Sequence, residues 1–226
     1  MPLIDIGRLT EDLLNAPPSP AGDTTSAPRV AAPLPGGAVR ALRRRGAVRA
    51  WSRAPLDGAL LARSLEYACE QDARLWAPSH PELPSPVASV LARDVADLPR
   101  GIHRYDTGER ALKPEPHELP PLEDMVLQLE FAAAPAVIVV HGDLSTAVER
   151  HGVGGHRRLL ARGAAFAHSV WLAALAGGAV GSVFAGVLSA AGRTHLGLDG
   201  AGRAQLLGLA LGHPRTAAAS QDGDPR

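Results

Sequence analysis

The feature that most constrains the fold is an apolar, β-branched run near the middle of the chain. Residues 135–141 read PAVIVVH, with no polar side chain before the histidine. A strand that is apolar on both faces is typical of the centre of a sheet covered on both sides. The run therefore predicts a buried central strand.

The rest of the chain predicts helices and strands in an irregular order. Helices are predicted over residues 37–45, after a helix N-cap at Asp57, and over residues 122–129, 144–151 and 157–176. Strands are predicted over residues 87–92 and 205–211, with a hairpin of 101–106 and 110–112 joined by 107–109. Because the order lacks strict β-α-β alternation, it favours an α+β fold.

The two ends of the chain differ in composition from its middle. Residues 1–37 comprise a short segment with helical apolar spacing and a linker, 16–37, that is rich in Pro, Ser, Thr and Gly and cannot bury a core. Residues 217–226 are predicted to be a disordered tail. The folded domain is therefore expected over residues 38–216.

Composition restricts the class of protein. The 23 acidic residues balance the 23 basic ones, which argues against a dedicated nucleic-acid binder. Cys69 is the single cysteine, so a disulfide framework and a cysteine zinc site are excluded, and no metal site is predicted. The acidic N-terminal segment lacks a signal pattern, and a cytoplasmic location is expected. The apolar residues 164–191 predict a buried helix and a turn at Gly177–Gly178 rather than a membrane span.

Two arginines, Arg45 and Arg49, stand four residues apart in the sequence RRGAVRAW. At the end of a helix they can address one anion together, because guanidinium groups bind phosphate through paired hydrogen bonds. The alternative is a solvated basic turn, since Lys113 is the only lysine and arginine supplies every other basic residue.

This opening resembles the FMN-dependent nitroreductase family, above all its streptolysin-type azoline dehydrogenases, which oxidise peptide thiazolines and oxazolines to azoles. Further stretches resemble family motifs in the same order over residues 38–216: Pro78-Ser79, residues 97–106 (DLPRGIHRYD), residues 134–140 (APAVIVV), the helix from His156, and residues 211–215 (LGHPR). Together they identify a nitroreductase-like chain.

The resemblance implies an α+β nitroreductase-like fold, with a central mixed or antiparallel sheet flanked by helices and a long central helix at a dimer interface. It places FMN contacts at Arg45, Ala47, Arg49, Pro78, Ser79, Gly181 and Arg215. Arg150 and His151 fall where the azoline dehydrogenases have a Lys-Tyr pair that assists proton removal. Of these two, only His151 titrates near neutral pH.

Several family positions that face the flavin are altered. The family's Ser, Gly, His, Glu, His and Gln are replaced by Ala47, Pro81, Pro84, Arg162, Ala165 and His168. Ala47 lacks a hydroxyl donor, and Pro81 lacks the N–H and the free backbone of glycine. The arginines that would hold phosphate survive better than the groups around the ring.

Three functions follow as hypotheses. The first is an FMN-dependent dehydrogenase that tailors a peptide natural product by azoline-to-azole oxidation. The second is a catalytically inactive nitroreductase-like subunit that serves as a structural or substrate-binding partner in a biosynthetic complex. The third is a nitroreductase that uses NAD(P)H on small aromatics. The expected partners are a second copy or a related flavoprotein and a peptide substrate, with no nucleic acid and no membrane.

Overall fold

The structure, a computed structural model, describes residues 42, 43 and 45–215 of the chain. The predicted N-terminal segment, linker and tail lie outside the described residues. So does most of the helix predicted over 37–45, of which residues 42 and 43 are helical and Arg45 is not.

A six-stranded sheet forms the centre of the domain. Its strands are β2 (Val87–Ala92), β4 (Gly101–Asp106), β5 (Ala111–Pro114), β6 (Ala136–Gly142), β7 (Val180–Phe184) and β8 (Ala204–Gly212). Their order is β5-β4-β2-β6-β8-β7, and every neighbouring pair is antiparallel. Two short strands, β1 (Leu56–Asp57) and β3 (Val95–Ala96), form a separate parallel pair.

Strand β6 is the strand predicted from the PAVIVVH run. All seven of its residues are buried, and it pairs with β2 on one side and β8 on the other. Ile138 and Val140 join one hydrophobic cluster, while Val137 and Val139 join a second one. The predicted strand with two buried faces is confirmed.

Four α-helices of eight residues or more lie within residues 45–215: α1 (Gly58–Leu75), α2 (Leu144–His151), α3 (Gly154–Ala176) and α4 (Ser189–Leu196). As predicted, Asp57 caps α1, and its carboxylate accepts the N–H groups of Ala59 at 2.8 Å and Leu60 at 3.3 Å. Helix α3 packs against α1 and lies across β8. Gly163 permits this approach, because a Cβ there would lie 2.6 Å from Leu206 Cδ1.

Helix α3 is the one helix of the described chain that is long and apolar enough to cross a membrane, with a mean hydropathy of 1.4 over 18 residues. It is packed inside the domain, where Leu159, Phe166 and Val170 are buried together with the charged Arg162. Its apolar character is therefore that of a core helix, as the sequence predicts.

The helix predicted over residues 122–129 is wrong. The segment forms two single 3₁₀ turns, Leu122–Asp124 and Leu129–Phe131. Between them, Val126 forms a β-bridge with Val187, and the carbonyl of Met125 accepts the N–H of Leu188 at 2.7 Å. These long-range backbone bonds satisfy groups that a helix would have paired internally.

Strand β7 and helix α4 were not predicted. They follow the apolar run of α3 after a turn at Gly177–Gly178, and Gly181 weakens the strand signal of β7. Strand β7 is added at the edge of the sheet beside β8, so its conformation depends on a partner that follows it in the chain.

A buried ion pair joins α3 to α1. Arg162 donates from Nε to Asp72 Oδ1 at 2.7 Å and from Nη2 to Asp72 Oδ2 at 2.6 Å. Nη2 also donates to Ser85 Oγ at 2.8 Å, and Nη1 donates to the carbonyl of Leu83. Arg162 is 1% exposed and Asp72 is 7% exposed, and each guanidinium nitrogen has an acceptor. The pair thus ties the loop after α1 to α3.

Arg162→Leu is expected to cost about 3–5 kcal/mol of unfolding free energy, because it leaves the Asp72 carboxylate buried without a partner. Urea unfolding measures this loss, and the double variant D72L/R162L should lose less than the two single variants added together. Arg110→Leu is the matched control: its 2.7 Å pair with Glu66 is exposed, so a loss of about 1 kcal/mol at most is expected. Equal losses in both variants would contradict a structural role for the buried pair.

A buried histidine predicts sensitivity to acid. His141 lies 3.1 Å from Ser89 Oγ in the sheet, and burial, followed by the charges of Arg203 and Arg104, lowers its pKa to about 4. The unfolded chain, with an ordinary pKa of 6.5, takes up the proton first. Stability is therefore retained above pH 6.5 and falls by about 2 kcal/mol between pH 7 and pH 5. Urea unfolding at both values checks this, and His141→Gln should show a smaller difference.

Candidate functional site

The N-terminal arginine segment runs along the outer edge of β7. The N–H of Val48 donates to the carbonyl of Gly181 at 3.3 Å, which places the segment beside the free side of the edge strand. Arg45, Ala47 and Arg49 are all exposed there. The sheet therefore positions this segment through its edge.

The C-terminal end of β8 reaches the same place. The N–H of Ser52 donates to the carbonyl of His213 at 3.0 Å, and Trp51 forms an antiparallel bridge with Pro214. In an antiparallel register, Ala50 then lies opposite Arg215, one residue from Arg49. We call the group of Arg45, Arg49 and Arg215 around Gly181 the arginine edge. Five of the seven residues predicted to bind FMN lie here: Arg45, Ala47, Arg49, Gly181 and Arg215.

The arginine edge is cationic. Its nearest acidic partner is Glu130, 3.7 Å from Arg49, in a pair whose side chains are 60% and 38% exposed. Such an exposed pair is weak, so an anionic ligand can replace it at little cost. Burial, followed by the charge of Arg45, lowers the pKa of His168 on the neighbouring face of α3.

An unpaired donor lies beside the arginine edge. Trp171 contacts His168 edge to face, with 6.2 Å between ring centroids, and its Nε1 is buried without a hydrogen-bond partner among the described residues. The Trp171 ring also lies 3.4 Å from the position that a Cβ of Gly181 would take. Sequence reasoning placed His168 at a flavin-facing family position but missed Trp171 as a neighbour of the site, because only the packing of α3 brings Trp171 there.

Pro78 and Ser79 lie in the loop that follows α1, and both are exposed. Ser79 Oγ donates to the carbonyl of Leu75 at 3.4 Å, and the loop continues into His80. His151 lies at the end of α2, where its Nδ1 accepts a hydrogen bond of 3.1 Å from Arg158. Arg150 is exposed at the same helix end.

These residues and the arginine edge lie at opposite ends of α3. Arg158, which bonds to His151, lies near the start of α3. His168, on which the charge of Arg45 acts, lies further along the same helix. Arg158 and His168 stand ten positions apart, which is about 15 Å along the helix. Within one chain, the structure therefore does not bring Pro78, Ser79, Arg150 and His151 to the arginine edge.

The interpretation of Arg162 as an altered flavin-facing position is wrong. Its guanidinium lies in the core, bound to Asp72, and not at either end of α3. The sequence around Arg162 does not indicate its counter-ion, because Asp72 stands 90 residues earlier in the chain. Arg162 therefore says nothing about loss of flavin chemistry.

Two cavities of the described chain lie away from the arginine edge. One of about 460 Å³ is formed by residues 99–103 and 114–119, and one of about 240 Å³ lies among Cys69, Tyr105 and Phe166. Neither is lined by a residue predicted to bind FMN. Residues 45–215 also hold no group of three His, Cys, Asp or Glu residues that could bind a metal ion. The arginine edge is thus an open surface of the single chain.

The family model described as the nitroreductase family matches residues 42–213. The chain belongs to the nitroreductase family. The match covers the whole sheet, the helices and the arginine edge up to His213, and it leaves Arg215 just outside.

Solved structures with the same fold agree with this nitroreductase assignment. A nitroreductase from Ralstonia eutropha has a TM-score of 0.62 and 17% identity, over 85% of this chain and 89% of its own. One from Anabaena variabilis has a TM-score of 0.64 and 21% identity, over 77% of this chain but only 37% of its own. At these identities the likeness shows the fold alone.

A third solved structure is the Escherichia coli microcin synthetase McbBCD complex with truncated pro-MccB17 bound. It has a TM-score of 0.58 and 14% identity, over 96% of this chain and 83% of its own. The sequence of this nitroreductase family member has no significant match among curated proteins.

Gly181→Ala is expected to shift β7 away from β8 and to lower stability by about 1–3 kcal/mol. The physical reason is that the new Cβ would lie 2.6 Å from the carbonyl oxygen of Ala210 and 2.7 Å from Leu211 Cδ2. Gly46→Ala is the matched control on the same edge, since nothing lies within 4 Å of its Cβ position. Thermal unfolding measures both variants, and a Gly181→Ala protein as stable as the Gly46→Ala protein would refute the tight approach.

Proposed function

We propose that this chain is an FMN-dependent oxidoreductase that removes two hydrogens from a peptide-derived substrate. The observation that carries the proposal is the convergence of Arg45, Arg49 and Arg215 on the outer edge of β7. Two segments more than 160 residues apart in the sequence meet there, and all three arginines are exposed.

The donor set fits the anionic end of a phosphorylated cofactor. Guanidinium groups bind phosphate oxygens through paired, charge-assisted hydrogen bonds, and Arg45 and Arg215 supply two such groups. Arg49 would lie at the pyrimidine edge, where a cation favours the reduced flavin. The buried Nε1 of Trp171 adds a donor that still lacks an acceptor among the described residues.

When bound, FMN would supply the oxidising power as a hydride acceptor, with molecular oxygen as the final two-electron oxidant. The substrate loses a proton in the same conversion, and the chain must receive it. His151 is the titratable group that we assign to this end of the site, and Arg150 beside it would hold an anionic part of the substrate.

The site requires a second chain. Arg158, which contacts His151, lies about 15 Å along α3 from His168, which lies near Arg45. In the proposed dimer, Pro78, Ser79, Arg150 and His151 of one protomer complete the arginine edge of its partner, which is a second copy or a related flavoprotein. The openness of the arginine edge in the single chain supports this arrangement.

A peptide is the proposed substrate. The support is the McbBCD microcin synthetase structure, which holds truncated pro-MccB17 and whose fold overlaps 96% of this chain. The reaction that fits such a substrate is the oxidation of an azoline ring to an azole, in which the ring C–C single bond becomes a double bond as one carbon loses a proton and its neighbour loses a hydride.

A second candidate function is an inactive subunit that binds substrate within a complex. Two observations favour it: Ala47 supplies no hydroxyl at the arginine edge, and His151 has Nε2 buried and Nδ1 engaged by Arg158. Such a chain would keep the fold and the peptide surface and lose the redox reaction.

Flavin content separates the two functions. The purified protein is expected to be yellow and to release FMN on boiling. Arg49→Ala should weaken FMN binding by about tenfold to a hundredfold, the loss of a charge-assisted hydrogen bond. Equilibrium dialysis with FMN measures the change.

Arg193→Ala, on exposed α4 away from the arginine edge, is the control and should bind FMN like the wild type. A colourless protein that takes up no added FMN would remove the oxidoreductase function and leave the inactive subunit. Unchanged binding in Arg49→Ala would refute the placement of the cofactor.

A further inference from the structure

Two neighbouring cavities lie toward the β5 edge of the sheet, at the other end of the strand order from the arginine edge. The large chamber is the cavity of about 460 Å³ formed by residues 99–103 and 114–119. The small chamber, of about 50 Å³, is lined by Ser89, Ile102, Glu115, His117, residues 195–197 and Arg203. Both chambers are lined by Ile102, Glu115 and His117, so they adjoin each other. We call the two chambers together the β5 cavity.

The floor of the small chamber is a buried pair of polar side chains. Ser89 and His141 are 1% and 3% exposed, and Ser89 Oγ lies 3.1 Å from His141 Nε2. Because side chains alternate along a strand, Ser89 lies on the sheet face opposite to Ala88 and Val90, which pack against α1 and α3. A serine hydroxyl has one donor and two acceptor positions, so its bond to His141 leaves Ser89 able to bond to a group in the chamber.

Arg203 brings a positive charge to the small chamber. Its Nη1 lies 3.3 Å from the position that a Cβ of Gly197 would take, so the guanidinium lies over another residue of the chamber wall. Within residues 45–215, Arg203 forms no ion pair. The nearby Asp199 carboxylate accepts the backbone N–H groups of Ala201 at 2.8 Å and Arg203 at 2.9 Å. After burial, the charge of Arg203 is the next cause that lowers the pKa of His141.

The acidic side chain in the wall of the small chamber already has a partner. Glu115 Oε1 lies 3.2 Å from Arg104 Nε, and Arg104 stands opposite Ser89 in the sheet. The guanidinium of Arg203 and the imidazole groups of His117 and His195 remain as donors. The small chamber is therefore rich in hydrogen-bond donors and short of acceptors, which favours an anionic group.

The two volumes indicate the kind of ligand. A water molecule takes about 30 Å³ in the liquid, so the small chamber holds a group about as large as a carboxylate. The planar fork of a guanidinium matches the two oxygens of a carboxylate. The large chamber falls within the range of about 300–1,000 Å³ that is typical of small-molecule sites, and its wall includes the apolar Pro99, Ile102 and Leu119.

We propose that the β5 cavity binds a ligand with a carboxylate and a compact apolar body. The carboxylate lies in the small chamber between Arg203 and Ser89, and the body lies in the large chamber. The ligand crosses between the chambers at Glu115 and His117. Such a carboxylate is either the C-terminus of a peptide or that of a free small acid. The site uses no FMN and lies apart from the arginine edge, so it goes beyond the proposed function.

The test is an NMR titration of the ¹⁵N-labelled full-length protein with N-acetyl-leucine, which carries a carboxylate on an apolar body. Saturable shifts are expected, with a Kd of about 1 mM or lower. N-acetyl-leucinamide lacks the charge and should bind about tenfold more weakly or worse. Acetate lacks the apolar body and should also bind about tenfold more weakly.

Two arginine variants locate the carboxylate. Arg203→Gln removes the charge from the small chamber and should weaken N-acetyl-leucine binding by about tenfold or more. Arg100→Gln is the matched control, because Arg100 lines the large chamber and not the small one. Its Kd should change by about twofold at most. If Arg203→Gln fails to fold, the comparison of N-acetyl-leucine with its amide in the wild type decides the same question.

Four results would overturn the proposal: no saturable shift with N-acetyl-leucine, equal binding of the acid and its amide, equal binding of acetate, or unchanged binding in Arg203→Gln. Inorganic phosphate that displaces N-acetyl-leucine at equal or lower concentration would overturn the assignment to a carboxylate.

Isocaproate separates the two sources, because it keeps the carboxylate and the apolar body and lacks the peptide group. Isocaproate that binds as tightly as N-acetyl-leucine assigns the site to free small acids. Isocaproate that binds about tenfold more weakly assigns it to a peptide C-terminus. Because no titration contains FMN, a failure here leaves the proposed function standing, and a protein without flavin leaves the β5 cavity to its own test.

Discussion

The ion pair between Arg162 and Asp72 is the interaction on which the arrangement of this domain depends. Burying two charges carries a desolvation penalty that is recovered only when every hydrogen-bonding group finds a partner. Arg162 meets that condition with Asp72, the carbonyl of Leu83 and Ser85 Oγ. Three parts of the chain, namely α1, the loop after it and α3, are thereby held in one geometry. The pair fixes the path of the loop between α1 and β2, which holds four prolines (Pro78, Pro81, Pro84 and Pro86) and forms no strand.

The arginine edge follows a different principle, because it is built from the two ends of the folded domain at the edge of the sheet. Strand β7 has β8 on one side only, so its outer carbonyls are available to the segment that carries Arg45 and Arg49. The end of β8 supplies Arg215 to the same place through the bridge of Trp51 with Pro214. An edge of this kind gives precise backbone placement and leaves the guanidinium groups exposed.

The sequence predicted what local pattern and continuous burial determine. The β6 strand, the Asp57 cap, the β4–β5 hairpin and the core helix α3 all carry their signal in consecutive residues. Strand β7 has no such signal in consecutive residues, since Gly181 interrupts it and its pairing with β8 decides its conformation. The helical pattern of residues 122–129 also failed to predict their structure, because Val126 forms a β-bridge with Val187 instead of a helical turn. Arg162 was assigned to the flavin site from its position in a motif, whereas its partner Asp72 is set by tertiary packing alone.

The predicted site residues fall into two groups, the arginine edge and the set of Pro78, Ser79, Arg150 and His151. Their separation along α3 bears on whether one chain or two form the functional unit. A helix core is rigid over this length, and α3 is held along it by α1, β8 and the Arg162 pair, so no motion within the chain can bring Ser79 to Arg45 while the fold persists. Either the two groups serve different ligands, or a second chain supplies one of them. The geometry of the loop favours the second, because Arg162 and Asp72 spend buried polar contacts on holding a segment that ends in the exposed Pro78 and Ser79. Buried polar networks of this kind specify a position at little gain in stability, which is the property that a surface offered to a partner chain requires.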